Sequence, residues 1–483
     1  MSNKYYYWGR VEADGSPVVI QRNLFWEHVH VLGNSGSGKS SMRLAPLVEQ
    51  TIGFGDTSLI FIDLKGDKLE NLAACMAAQK ELKQRTGQEM PIRVFTLENG
   101  KQSHVFNPFL TSGLEKLSQT DRVNLITETL SLFYGIDYAR GHFSAKNTAT
   151  VREISAAILS IRTFHELYST LVGLAADPTT YIGSQHRNEY IGVAETILSI
   201  ASCSAINVSE TNAVDSEVLD SHIDLAKAFQ TPSIYYFYLP TVTSPFVAQT
   251  IGRLVVKYLL VAAKSQPRKN RVQVVIDEFQ RMIADNLEVV LQQARGFDIG
   301  LVLANQSLGD LKACGPVLLN AIEGNCAIRQ WLSVTAAEDL DHLAKLFGTQ
   351  KELVQSETAT SYGKSVTTTV RDAPRITTTD LHCVSSNPFL SVTKINGERN
   401  GYAQYRGAPF VVRNSFHITS EEYDERLKFS WPTDLPGMVE VSELPMPALP
   451  IPADKKKRGA IPRDRKDIPN TPIDSRPFDD LFG

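Results

Sequence analysis

Two short stretches, far apart in the chain, carry residue types suited to phosphate chemistry. The first is Gly33-Asn34-Ser35-Gly36-Ser37-Gly38-Lys39-Ser40, with Ser41 following. Its glycines let backbone N–H groups turn inward around phosphate oxygens. Lys39 is spaced to reach the β- and γ-phosphates and Ser40 to offer a hydroxyl to Mg2+. A helix opening at about Gly38 adds the positive end of its dipole. The second stretch is Val274-Val275-Ile276-Asp277-Glu278, an apolar run ending in two acids. Asp277 is suited to hold Mg2+, directly or through water. Glu278 is suited to orient or deprotonate an attacking water. Alone, the acids read equally as a solvated strand end; with the glycine-rich loop they predict an enzyme that binds ATP and Mg2+ and hydrolyses the nucleotide. Residues 33 to 41 would cradle the nucleotide, and Ser40 and Asp277 the metal. A third run, Gly300-Leu301-Val302-Leu303-Ala304-Asn305-Gln306, ends in an amide. Gln306 reads either as a sensor of the γ-phosphate or as a polar loop residue.

Such groups need strands to carry them to one edge of a sheet. His28–Leu32 leads into the glycine-rich loop. Ser58–Ile62 ends in Asp63-Leu64-Lys65-Gly66-Asp67, and Ile92–Leu97, Ser233–Leu239 and Cys326–Leu332 supply further apolar runs. Helical stretches of about 246–264 and 285–295 alternate with them. This alternation predicts an α/β fold, a RecA-like P-loop NTPase with a large, mostly parallel sheet. Between about 112 and 200 the apolar period becomes helical, with Val151, Ile154, Ile158 and Ile161 on one face, Leu167, Leu171 and Leu174 on a second, and Val193, Ile197 and Ile200 on a third. The expected organisation is a β-rich lead-in over 1–27, the nucleotide-binding domain over 28–111 and 201–430, an inserted all-α domain over 112–200, and a disordered, Pro-rich basic tail over 431–483. Within this scheme 349–380, rich in Ser and Thr, reads as a long surface loop or partly disordered segment, and a short β segment is expected near 402–413. The closing Phe478-Asp479-Asp480-Leu481-Phe482 reads as a docking peptide or an inert end.

Composition narrows the class. Five cysteines, Cys75, Cys203, Cys314, Cys326 and Cys383, form no CxxC pair, which argues against a zinc site or disulfide framework. A net charge of −4 disfavours extensive coating by DNA but is compatible with DNA in a narrow pore lined by a few basic groups. No apolar run is expected to span a bilayer, and the N-terminus has no signal-peptide core. The expected location is cytoplasmic, or peripheral at the inner membrane.

The glycine-rich loop, the Asp63–Asp67 element, a helical insertion, Asp277-Glu278 and Gln306 occur in this order in the type IV secretion coupling proteins. The chain resembles these TraG/TraD-like ATPases of bacterial conjugation, kin of the FtsK and HerA translocases, from about residue 20 to 420. Asp63-Leu64-Lys65-Gly66-Asp67 is similar to the family's Asp-Pro-Lys-Gly-Glu element, with Leu64 and Asp67 as departures. Pro46, Asn107-Pro108 and Gly324-Asn325-Cys326 also match its pattern. The resemblance implies a homo-hexameric ring that recruits and pumps DNA, or a DNA–relaxase complex, towards a secretion-channel or membrane partner. It also nominates Arg295 as an arginine finger supplied to the neighbouring subunit. Members of this family usually begin with two transmembrane helices; none is read here, so a soluble relative, or one docking on a separate membrane protein, is expected. Two other readings stay open: a HerA-like ATPase serving repair or defence beside a nuclease, and an ATP-dependent adaptor for protein secretion.

Overall fold

A computed structural model describes residues 4–129, 161–177, 179, 187–209, 216–242, 244–282, 287–313, 316–360, 363–396 and 407–449. The strands are β1 (Tyr5–Val11), β2 (Pro17–Gln21), β3 (Val29–Leu32), β4 (Thr57–Asp63), β5 (Ile92–Thr96), β6 (Gln102–Ser103), β7 (Ile234–Tyr238), β8 (Arg271–Asp277), β9 (Ile299–Asn305), β10 (Ile328–Trp331), β11 (Thr349–Thr360), β12 (Gly363–Pro374), β13 (Leu390–Ile395), β14 (Phe410–Arg413) and β15 (Val439–Glu440). The helices that matter below are α1 (Ala45–Phe54), α2 (Glu70–Thr86), α3 (Gln119–Thr129), α4 (Phe164–Ala176), α5 (Arg187–Ala201), α6 (Pro245–Ser265), α7 (Leu287–Ala294) and α8 (Thr378–Ser386).

Eleven strands form one sheet, in the order β2-β1-β14-β13-β10-β3-β9-β8-β4-β7-β5. From β10 to β5 every pair is parallel. These are the strands foreseen from the apolar runs, and the α/β, mostly parallel class holds. Beyond β10 the sheet continues antiparallel through β13, β14, β1 and β2. The lead-in of residues 1–27 is thus an edge of the main sheet, bonded to a strand some 400 positions later: Arg10 pairs with Arg413.

Parallel strands covered on both faces must be apolar throughout. Every residue of β4, β7 and β9 is buried. Alternation then sorts the faces. Leu59 and Phe61 pack with Leu47, Val48 and Ile52 of α1 and Leu72 and Cys75 of α2. Ile60 and Ile62 pack with Ile251, Leu254 and Val255 of α6, in the core that also holds Phe164, Leu167 and Leu171 of α4 and Ile197 and Ile200 of α5.

Several expectations are corrected. Residues 349–374 are not a loop: β11 and β12 pair antiparallel along their whole length, and α8 follows. The segment looked loop-like because it has few apolar residues, and those it has, Leu353, Val366 and Val370, stand exposed. Its Thr and Val content is strand chemistry. The stretch expected to be disordered from 431 is ordered through 449: β15 pairs with β6, Val441 is buried, and the Trp431 indole donates to the Gln102 carbonyl at 2.7 Å. The expectation that no apolar run could span a bilayer also needs amending, because α6 is long and apolar enough by length and composition, with 67% of its most apolar window buried in the core. The strand near 402–413 is β14, and the helix expected over 285–295 is α7. The positions Val151, Ile154, Ile158 and Cys314, residues 402–406, and the chain from 450 onward, with its basic run and end peptide, lie outside the described residues.

Candidate nucleotide site

The glycine-rich loop leaves the C-terminal end of β3. Gly38 has φ +80°, a left-handed conformation that favours glycine. The helix after it opens with a π-helical turn, Lys39–Leu44, and becomes α-helical at Ala45. That change places Pro46 in the first turn of α1, directly after the π turn. The π turn is held from behind by buried Arg43. Its guanidinium lies 4.0 Å over the Trp8 ring and donates to the Trp8 carbonyl (2.8 Å) and to Asn414 Oδ1 (2.7 Å).

Ligands of open α/β sheets bind beyond the carboxyl ends of the strands, and the acids arrive there from β8. Lys39 Nζ donates to the Gly33 carbonyl (3.1 Å) and stands 3.4 Å from Glu278 Oε1. Ser40 Oγ donates to Asp277 Oδ2 at 3.3 Å. Strand β9 lies between β3 and β8, so its end falls between loop and acids, and Gln306 Nε2 donates to Glu278 Oε2 at 2.7 Å. Gln280 donates to the same oxygen at 2.5 Å. Glu278 has φ +59°, a region that non-glycine residues seldom occupy. Backbone strain of this kind is of order 1–3 kcal/mol and persists where surrounding contacts over-determine it. Here those contacts come from Lys39, Gln280 and Gln306.

Lys39, Ser40, Asp277, Glu278 and Gln306 therefore meet at one edge. Lys39, Ser40 and Glu278 border a cleft of about 450 Å³ lined also by Asn34, Ser35, Gly36, Gly38 and Ser41, while Asp277 and Gln306 are bonded to that lining through Ser40 and Glu278. Gly33 accepts from Lys39 at the mouth of the loop, and buried Ser37 has an unpartnered hydroxyl. Arg295 does not join them. It follows α7 and precedes β9, so it sits at the N-terminal edge of the sheet, a strand length of roughly 20 Å from the loop. There it is half exposed and pairs with Glu27 at 3.0 Å.

Three features escaped the sequence reading. Asp63 ends β4 in register with Asp277, so two buried carboxylates stand side by side. Tyr236 donates to Asp63 Oδ2 at 2.7 Å. The cleft is also lined by Phe389, Phe416 and Tyr423. The matching Asp after two apolar runs was a signal for the first. The aromatics come from separate loops and one short helix, and no spacing joins them.

The charges are unbalanced. Burial, then Asp63 and Glu278, push Asp277 up to about 7 against the opposing pull of Lys39 and Lys65. Burial also raises Asp63, against backbone N–H bonds from Gly66 and Lys65 and the Tyr236 hydroxyl. Burial works the same way on Glu278, but Lys39, Gln306, Gln280 and Arg281 outweigh it and hold the carboxyl below its usual range. A hydroxyl beside a buried carboxylate, with surplus negative charge behind, is a donor set of hard oxygens that a Mg2+ ion would satisfy. Ser40 and Asp277 fit that ion.

Residues 271–382 match a family model described as the TraM recognition site of TraD and TraG. Over that segment the chain is similar to the TraG/TraD-like coupling proteins. No curated protein matches the chain. Among solved structures it is similar to the bacterial conjugative coupling protein TrwBdeltaN70 in an unbound form, at 13% identity and TM-score 0.57, covering 85% of this chain and 89% of that one. It is also similar to TrwB in complex with ADP and Mg2+, at 12% identity and TM-score 0.55, covering 86% and 90%. VirB4 of Thermoanaerobacter pseudethanolicus matches at 13% identity and TM-score 0.50, covering 86% and 97%. At such identities these likenesses establish a shared fold, and the chain has the TrwB-type architecture across most of its length.

Proposed function

We propose that this coupling-protein relative is an ATPase that works as a hexameric ring, recruiting and pumping DNA or a DNA–relaxase complex in conjugative transfer. The observation that carries the reading is the meeting of Lys39, Ser40, Asp277, Glu278 and Gln306 at the carboxyl ends of β3, β8 and β9. In it, ATP lies along the cleft with its phosphates in the loop and its base towards Phe389 and Phe416. Mg2+, held by Ser40 and Asp277, supplies Lewis-acid charge when bound. Lys39 leaves Glu278 for the phosphates. Glu278, kept ionised by its neighbours, takes a proton from the attacking water. Gln306, hydrogen-bonded to Glu278, couples that carboxylate to strand β9.

Arg295 supports the ring. It cannot reach the cleft of its own chain, yet it is half exposed at the opposite edge, as a group serving a neighbour must be. TrwB, similar in fold, is known in complex with ADP and Mg2+, and the matched family model is named for recognition of TraM. Both accord with nucleotide use here and with a protein partner for the 271–382 segment. We place the chain in the cytoplasm, or peripheral at the inner membrane, beside a membrane or channel partner.

The test is steady-state ATPase with and without single- and double-stranded DNA, with Lys39→Ala as the blank. Stimulation by DNA that vanishes in the variant is the expected result. Turnover indifferent to DNA at ring-forming concentrations would instead favour an adaptor that handles protein.

A further inference from the structure

The Asp63–Asp67 turn is built more firmly than any role given so far requires. The Asp63 carboxylate accepts the backbone N–H groups of Lys65 (3.1 Å) and Gly66 (3.0 Å). Gly66 has φ +62°, and a Cβ there would meet Pro240 at 2.4 Å. Its carbonyl accepts from the Tyr238 hydroxyl at 2.7 Å. The Leu64 carbonyl accepts from Thr241 (3.1 Å) and from Arg281 (3.4 Å). Leu64 itself is fully buried. Backbone, glycine and apolar anchor are all fixed by neighbours on β7, β8 and the segments after them. What the turn presents outward is the Lys65–Asp67 pair, and of the two it is Lys65 that lines the cleft.

Lys65 lines the same cleft as Lys39, Ser40 and Glu278. It is about a quarter exposed and holds Asp67 Oδ2 at 2.8 Å, a partner that is itself half exposed and so readily exchanged for a stronger one. Its charge is felt by Asp277 and Glu278. Lysines at surface turns ordinarily need no such scaffold.

We propose that Lys65 is a second catalytic cation, supplied in cis, that leaves Asp67 to stabilise the charge on the transferring γ-phosphoryl group. This rests on the ATPase reading above. In that step the water oxygen bonds to Pγ, the bond from Pγ to the bridging β–γ oxygen breaks, the water proton passes to Glu278, and ADP and phosphate are formed. Negative charge spreads over the equatorial oxygens and the bridging oxygen as the bond breaks, and a fixed cation in a partly dry cleft lowers the barrier by meeting it. Asp63 positions Lys65 through the backbone and does not touch the nucleotide.

The expected signature is a split between ground state and transition state. In Lys65→Met, kcat should fall about 100-fold, ADP affinity should change by less than threefold, and affinity for ADP with Mg2+ and fluoroaluminate, a transition-state mimic, should fall in parallel with kcat. Lys65→Arg should recover part of both losses. A kcat loss below tenfold, or equal losses for ADP and for the mimic, overturns the proposal. Retained ADP binding in Lys65→Met reports that the variant is folded; should it be lost, Lys65→Gln repeats the comparison under the same criteria. Wild-type protein without Lys39-dependent ADP binding would overturn the ATPase reading itself, and this one with it.

Discussion

At the scale of single residues, the site is a set of charges that hold one another in place. Lys39 and Glu278 neutralise each other, Asp277 leans on Ser40, and Gln306 pins the Glu278 oxygen turned away from Lys39. Glu278→Gln keeps the shape but removes the base and leaves one acceptor oxygen where the carboxylate has two. ATP binding should persist while kcat falls by about 10²- to 10⁴-fold; a fluorescent-nucleotide titration beside a turnover assay separates the two. A second prediction concerns His30, fully buried between β9 and β10 with Nε2 on Asn305 Oδ1 at 2.6 Å. Burial, with a smaller push from Arg329, lowers it from 6.5 to about 4. Between those values the unfolded chain takes up a proton that the fold refuses, so this contribution to stability is intact above pH 6.5 and shrinks as pH falls. At pH 5 it is diminished by about 2 kcal/mol. His30→Gln should therefore be most destabilised relative to wild type at pH 7, with the gap narrowing towards pH 5 in denaturant titrations. A constant gap would mean that the imidazole is protonated within the fold.

At the scale of elements, what the sequence disclosed was what periodicity and motif spacing encode. The seven parallel strands were legible because they are largely buried and read as mostly apolar runs, Leu59–Ile62 and Leu301–Ala304 being plain cases. The residues that meet at their ends were legible because the chemistry demands those types. The antiparallel extension was not, because β1 and β14 are only part-buried strands whose pairing joins distant parts of the chain. The ribbon β11–β12 was hidden for a related reason: it has no core to announce it. Glu352 meets Arg371 on one face and Leu353 meets Val370 on the other, with little beneath either. Its two ends adjoin, since Arg375 N donates to the Gly348 carbonyl at 3.0 Å. Joining 348 to 375 through a short turn should leave the melting temperature within about 3 °C of wild type, because a two-stranded ribbon in water is marginally stable and contributes little to the body it leaves. A larger drop would mean that the ribbon supports the sheet.

At the scale of the whole molecule, the two edges of the main sheet have different work. The carboxyl edge holds the cleft; the amino edge holds Arg295, ion-paired to Glu27 and open to solvent. A chain built this way has donor and acceptor on opposite sides, and identical copies can complete one another head to tail around a closed ring. Arg295→Ala mixed into wild-type protein should depress turnover more than in proportion to its fraction; a strictly proportional loss would place the arginine outside the reaction. The ordered stretch 431–449 bears on how this chain is dissected. It is laced to the sheet side through Trp431 and β15 and to the helical side through Tyr168, whose hydroxyl donates to the Pro447 carbonyl at 3.1 Å, and through Leu444 N on the Ser202 carbonyl at 2.6 Å. It works as a lashing between two layers that the chain visits hundreds of residues earlier. Anyone trimming the C-terminus to learn what its basic run does should cut after 449. A cut at 430, which composition invites, would loosen the helical layer, and the resulting defect would be mistaken for the loss of a tail.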